Sequence, residues 1–133
     1  MNFDDQEIHY SIYLVLDSVD MRLGMDGLSA KVQSQLQTNP CEGHIFVFKN
    51  KRGNRIKVLK WDATGVWLAQ RRLHEGSFVW PSPGLINSSP DRSSYQMSLE
   101  SWNYLIKGID WMRLQPSTQD RGHWKEPKTR VKE

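Results

Sequence analysis

Residues 44–80 read HIFVFKNKRGNRIKVLKWDATGVWLAQRRLHEGSFVW, and this stretch decides the fold. Three runs in it, His44–Asn50, Arg55–Trp61 and Val66–Leu73, are rich in β-branched and aromatic residues and of strand length. Lys51-Arg52-Gly53-Asn54 and Asp62-Ala63-Thr64-Gly65 separate them, both short and made of turn-forming residues. His74-Glu75-Gly76 turns the chain once more into Ser77–Trp80, which reads as a fourth strand. Strands joined by such short loops form an antiparallel meander, because a parallel pair needs a crossover of a dozen or more residues. Centring the two hairpins on their turns places Phe46, Leu59 and Leu68 on one face and Val47, Val58 and Ala69 on the other. Neither face is wholly polar, so both are expected to be at least partly covered.

Upstream, Ser11–Leu16 (SIYLVL) reads as an N-terminal strand, and the apolar period then changes. Met21, Met25, Leu28, Val32 and Leu36 form one stripe of a helix, with Asp20 as its cap and Thr38-Asn39-Pro40 as its end. Gly24 and Gly27 inside that helix imply a close backbone approach, most simply to the sheet. Downstream, residues 81–97 hold three Pro and five Ser and read as a long loop. Ser98 caps a second helix carrying Leu99, Trp102, Ile106 and Ile109 on one stripe, with Leu105 and Met112 beside it. The expected architecture is α+β: an antiparallel meander of about four strands plus an N-terminal strand, one helix packed on the sheet and a second near the C-terminus. The expected domain spans residues 8–113, followed by a basic flexible tail over 114–133.

The chain's 133 residues allow one ordinary core, and its six Trp, four Tyr and four Phe exclude disorder throughout. No apolar run reaches the roughly 18 residues that cross a bilayer. The first seven residues carry three acids and no base, unlike a signal or transit peptide. Cys41 is the single cysteine, so no intrachain disulfide can form, which suits a reducing, cytoplasmic setting.

The net charge of +3 conceals an asymmetry. Residues 1–30 hold six acids against Arg22 alone, whereas residues 44–80 hold eight bases against Asp62 and Glu75. A basic centre attracts polyanions, nucleic acid first. Lys49, Lys51, Arg52 and Arg55 surround the first hairpin tip, and Lys57, Arg71 and Arg72 follow on neighbouring strands, with Trp61, Trp67, Phe78 and Trp80 interleaved. A two-stranded ribbon with a basic tip suits a DNA groove or a phosphate backbone. The plainer reading places Trp61 and Trp67 in the core and leaves the bases to solubilise strand edges.

Other chemistry is poorly supported. Cys41 and His44 lack a second ligand pair, and His9, His74 and His123 are scattered, so neither zinc nor a Cys–His nucleophile is expected. The glycines form no phosphate-cradling loop. Asp20, Asp26 and Asp62 are the remaining candidates for holding magnesium in a nuclease. Asp20 and Asp26, however, lie about 120° apart in helical projection. No cofactor, metal site or catalytic residue is therefore expected.

The segments DMRLGMDGL from Asp20, NPCEGHIFVF from Asn39, RGNRIKVLKWD, RRLHEGSFVWP and a late IKGIDW resemble the TnpB-type accessory protein of the insertion-sequence-66 family of bacterial transposable elements. The motifs keep their order and spacing over about residues 12–112, leaving out the Ser/Pro-rich loop, and depart at Cys41 and around Ala69-Gln70. The resemblance implies a non-catalytic, cytoplasmic accessory of DNA transposition whose partner is the transposase encoded by the same element. It carries over no binding residues. The residues themselves propose DNA contact through Lys49, Lys51, Arg52, Arg55, Lys57, Arg71 and Arg72, at the element ends. An adaptor that binds the transposase without DNA, through the acidic face around Asp20 and Asp26 or the Trp102 helix, stays open, as does the magnesium nuclease.

Overall fold

The computed structural model describes residues 10–35, 43–81 and 93–114. Cys41, the helix end at Thr38–Pro40, residues 82–92 of the Ser/Pro-rich stretch, His9, His123 and the basic residues after 114 lie outside the described part.

The meander is built as its turn chemistry requires. Strands β2 (His44–Lys49), β3 (Arg55–Trp61) and β4 (Val66–Arg72) are antiparallel neighbours. At the first tip the Asn50 side chain accepts the Arg55 N–H at 3.1 Å and donates to the Asn54 side chain at 2.8 Å. Gly53 takes φ +77°, a backbone conformation that side chains disfavour. At the second tip the Asp62 carboxylate accepts the N–H groups of Thr64 and Gly65 at 2.9 and 2.8 Å, an Asx turn. The register pairs Phe46 with Leu59 and Leu59 with Leu68, and Val47 with Val58 and Val58 with Ala69, as the turn-centred alignment predicts.

Two expectations for the sheet are corrected. Ser77–Trp80 is not a strand. It is pinned across the sheet end instead: Phe78 is buried and its N–H donates to Gly53 O at 2.7 Å, while Trp80 Nε1 donates to Val15 O at 2.9 Å. The missing strand is β5 (Ser94–Met97), inside the stretch read as loop, and it pairs antiparallel with β1 (Ser11–Val15). Because β1 also pairs parallel with β2, the sheet is mixed, in the order β4-β3-β2-β1-β5. The parallel pair is connected through helix α1 (Met25–Gln35).

Both faces are covered. Leu28 and Val32 of α1 pack on the face of Phe46, Phe48 and Leu59, all essentially inaccessible to solvent. On the other face, Ile45, Val47, Ile56 and Val58 meet Trp102 and Leu105 of helix α2 (Leu99–Leu105) and Trp111 of helix α3 (Trp111–Leu114). Each such side chain contributes about 1.5–3 kcal/mol of burial. The Trp111 indole also donates to Val79 O at 2.6 Å, so its one polar group is satisfied inside the core.

The helices depart from the sequence pattern at three places. Helix α1 starts at Met25, not after Asp20, because the Asp20 carboxylate folds back on the Arg22 N–H (2.8 Å) and guanidinium (2.7 Å) in a turn of its own. Gly24 therefore precedes the helix, and a Cβ on Gly27 would meet Leu23 Cδ2 at 2.8 Å, so the close approach is to the incoming loop and not to the sheet. The second helix is capped by Ser98, whose hydroxyl accepts the Ser101 N–H. It ends at Leu105 and the chain turns at Gly108 (φ +78°), so Ile109 leaves the stripe and is exposed while Trp111 takes the core position. Leu99, in the first turn, is exposed as well.

Candidate nucleic-acid interface

The β2–β3 tip and the end of β4 lie together, because Leu73 N–H donates to Asn54 O at 3.0 Å. Lys51 and Arg52 project from the tip and are exposed. One step into the sheet, Arg55 stands directly opposite Arg72. Residues opposite each other point to the same face with Cβ atoms about 5 Å apart, so the two arginine side chains leave the same face as neighbours. Among the described residues, none of Lys51, Arg52, Arg55 and Arg72 has a carboxylate partner; the ion pair present is that of Arg22 with Asp20. Like charges held opposite one another cost stability unless an anion neutralises them. This arrangement can receive phosphate groups.

The other three predicted bases are employed differently. Lys57 is corrected as a surface contact: it is 9% exposed, and its ammonium donates to Met21 O at 2.7 Å and Leu23 O at 2.8 Å. It lies on the α1 face and clamps the loop that leads into that helix. Arg71 points to the opposite face, where its Nε donates to Ile106 O at 2.6 Å and ties the end of α2 to β4, though the side chain remains exposed. Lys49 is half-buried with its ammonium 5.9 Å from the centre of the Trp80 ring, a cation–π contact at the rim of the basic end.

Of the predicted aromatics, Trp80 meets a predicted base, Lys49; none forms an exposed platform beside Lys51, Arg52, Arg55 and Arg72. Phe78 is buried, Trp80 is half-buried, and Trp61 packs edge-on against Phe46 at 5.8 Å. Trp67 is 61% exposed, contrary to its core reading, but it sits at the far end of β4 from Arg72. In the Trp102 helix, offered as a contact surface in the adaptor reading, Trp102 itself is buried at 3% and Leu99 is exposed.

The acidic groups are likewise committed locally. The Arg22 guanidinium and N–H hold the Asp20 carboxyl down at about 2, with the Lys57 charge adding in the same direction. Asp62 is held below the usual carboxylate range by the Thr64 N–H first and the Trp67 indole second. Among the described residues, no three His, Cys, Asp or Glu side chains come together as a metal site, and Asp20, Asp26 and Asp62 do not converge. No described helix is long and apolar enough to cross a membrane.

One site feature was available in the sequence and passed over. The turn-centred alignment that sets Leu59 beside Leu68 also sets Arg55 beside Arg72. The role of Lys57 had no local signal, because its partners lie 34 and 36 residues away.

The sequence profile of the family described as IS66 Orf2 like protein matches residues 10–116. Two proteins of Sinorhizobium fredii are similar along most of their length. "Uncharacterized protein y4hO" is 38% identical over 106 residues, covering 78% of this chain and 84% of the relative. "Uncharacterized protein y4jC" is 36% identical over 105 residues, covering 77% and 82%. No solved structure matches.

Proposed function

This chain belongs to the IS66 Orf2-like protein family, and from that premise we propose that it is a DNA-contacting, non-catalytic accessory of transposition. Its basic sheet end engages the phosphate backbone at the ends of the element and assists the separate transposase there. The observation that carries this reading is the unneutralised set at one end of the sheet: Lys51 and Arg52 at the tip, with Arg55 opposite Arg72. Arg71 and Lys49 flank the set, and Lys57 supports it from below without touching DNA. Phosphate contacts supply affinity and register but do not read sequence, so selection of the element end falls to the transposase.

Fluorescence anisotropy with two labelled duplexes, one carrying the element's terminal inverted repeat and one scrambled, tests the reading. The expected result is equal binding to both, weakening steeply with salt as condensed counterions are released. Binding that is absent at low salt overturns it and leaves the transposase as the sole partner to titrate. A strong preference for the repeat assigns sequence reading to this chain and overturns the division of labour.

A further inference from the structure

We propose that the open edge of β4 is a self-association surface, on which two copies of this chain pair antiparallel about Ala69 to form one continuous sheet. Among the described residues, strand β4 ends the sheet on one side and runs for seven residues. An edge of that length presents unpaired backbone groups ready for another strand.

The backbone sets which residues are available. Leu73 N–H donates to Asn54 O, and Asp62 N–H donates to Gly65 O, both in the β3–β4 register. Hydrogen-bonding residues alternate along an antiparallel ladder, so Trp67, Ala69 and Arg71 turn their backbone groups toward β3. Val66, Leu68, Gln70 and Arg72 turn theirs outward. Centring two antiparallel copies on Ala69 sets Leu68 opposite Gln70 and Val66 opposite Arg72 of the second copy. Every outward-facing residue of β4 then meets another outward-facing residue, over the whole strand.

The side chains fit the same register. Ala69 meets its own copy at a non-hydrogen-bonded position, where Cα atoms approach to about 4.5 Å and its small side chain leaves room for its neighbours. Trp67, which is 61% exposed, falls opposite Arg71 of the second copy, a cation–π pairing made twice by the two-fold. On that face Ala69, Arg71, Trp102 and Ile106 line a groove of about 180 Å³ that takes the incoming indole.

Charge favours a second copy in this orientation. Asp62 lies in the turn before β4 and accepts the Trp67 Nε1–H at 3.0 Å, near the strand's start, whereas Arg71 and Arg72 lie at its end. Antiparallel pairing brings the acid of each copy to the arginines of the other; parallel pairing sets arginine against arginine. The two-fold axis runs perpendicular to the sheet, so both Arg55–Arg72 pairs come to one face. This inference does not depend on the DNA reading.

Sedimentation equilibrium of the full chain is expected to show a monomer–dimer equilibrium. In a Cys41→Ser background, Ala69→Cys should form an intermolecular disulfide under mild oxidation, because about 4.5 Å between Cα atoms lies within disulfide range. Gln70→Cys, on the opposite face and out of register with itself, should not. Trp67→Lys, at an exposed site, should weaken association about tenfold or more without loss of fold. Three results overturn the proposal: a chain that stays monomeric, a dimer that Trp67→Lys leaves unchanged, or cross-linking of the Gln70→Cys variant in place of the Ala69→Cys variant.

Discussion

Lys57→Met separates a structural lysine from a DNA-binding one. The substitution keeps the length and apolar stem of the side chain and removes only the ammonium. Two charge-assisted hydrogen bonds disappear, at 2.7 Å to Met21 O and 2.8 Å to Leu23 O. A hydrogen bond to a charged group contributes about 1.5–3 kcal/mol net. Three effects keep the loss below the sum of the two: both bonds share one ammonium, Met packs where Lys did, and carbonyls in a loop can turn toward water. A net loss of about 2–3 kcal/mol remains, or a fall of roughly 6–15 °C in Tm for a domain of this size. Urea unfolding followed by tryptophan fluorescence gives the loss as a shifted midpoint at constant slope. Duplex affinity, measured where the variant is fully folded, should not move. The assignment is refuted if stability changes by less than about 0.5 kcal/mol while duplex binding weakens, because the ammonium would then face the phosphates.

Three further outcomes follow from individual contacts. Arg72→Glu replaces a like-charged pair with Arg55 by an opposite-charged one, so stability to urea should rise by a few tenths of a kcal/mol while duplex affinity falls. Gly108→Ala forces a Cβ onto a backbone at φ +78° and within 3.2 Å of Leu73 Cδ1, so it should cost about 1–2 kcal/mol, read as a lower urea midpoint. The Asp20 carboxyl titrates near 2 in the fold, below its ordinary 3.8, so its contribution is complete above about pH 4 and is lost as pH falls through 2. A carboxyl-detected NMR titration should find that midpoint, and Arg22→Ala should return it toward the ordinary value.

The parts of the fold legible in the sequence are those governed by neighbours in the chain. The Gly53 and Asp62 turns, the period-two runs between them and the Ser98 cap all act within a few residues, so strands β2 to β4, their register and the start of α2 could be read directly. Strand β5 is four residues long behind a Ser/Pro-rich stretch, and it is a strand because β1 offers an edge, which composition does not reveal. Asp20 carries a capping signature but turns its carboxylate to Arg22, the nearer donor. Ser77–Trp80 has strand composition, yet the Phe78 N–H is taken by Gly53 O and the Trp80 indole by Val15 O across the sheet end. The basic tip was legible for the same local reasons, and the burial of Lys57 was not, because it depends on where a distant loop crosses.

The salt dependence of duplex binding, compared between the natural chain and a variant with Lys51, Arg52, Arg55 and Arg72 all changed to Ala, addresses the central claim most directly. If these four side chains meet phosphates, the slope of log affinity against log salt should shrink by about 0.9 for each lost contact, roughly three to four in all. Equal slopes and equal affinities for the two proteins would contradict it.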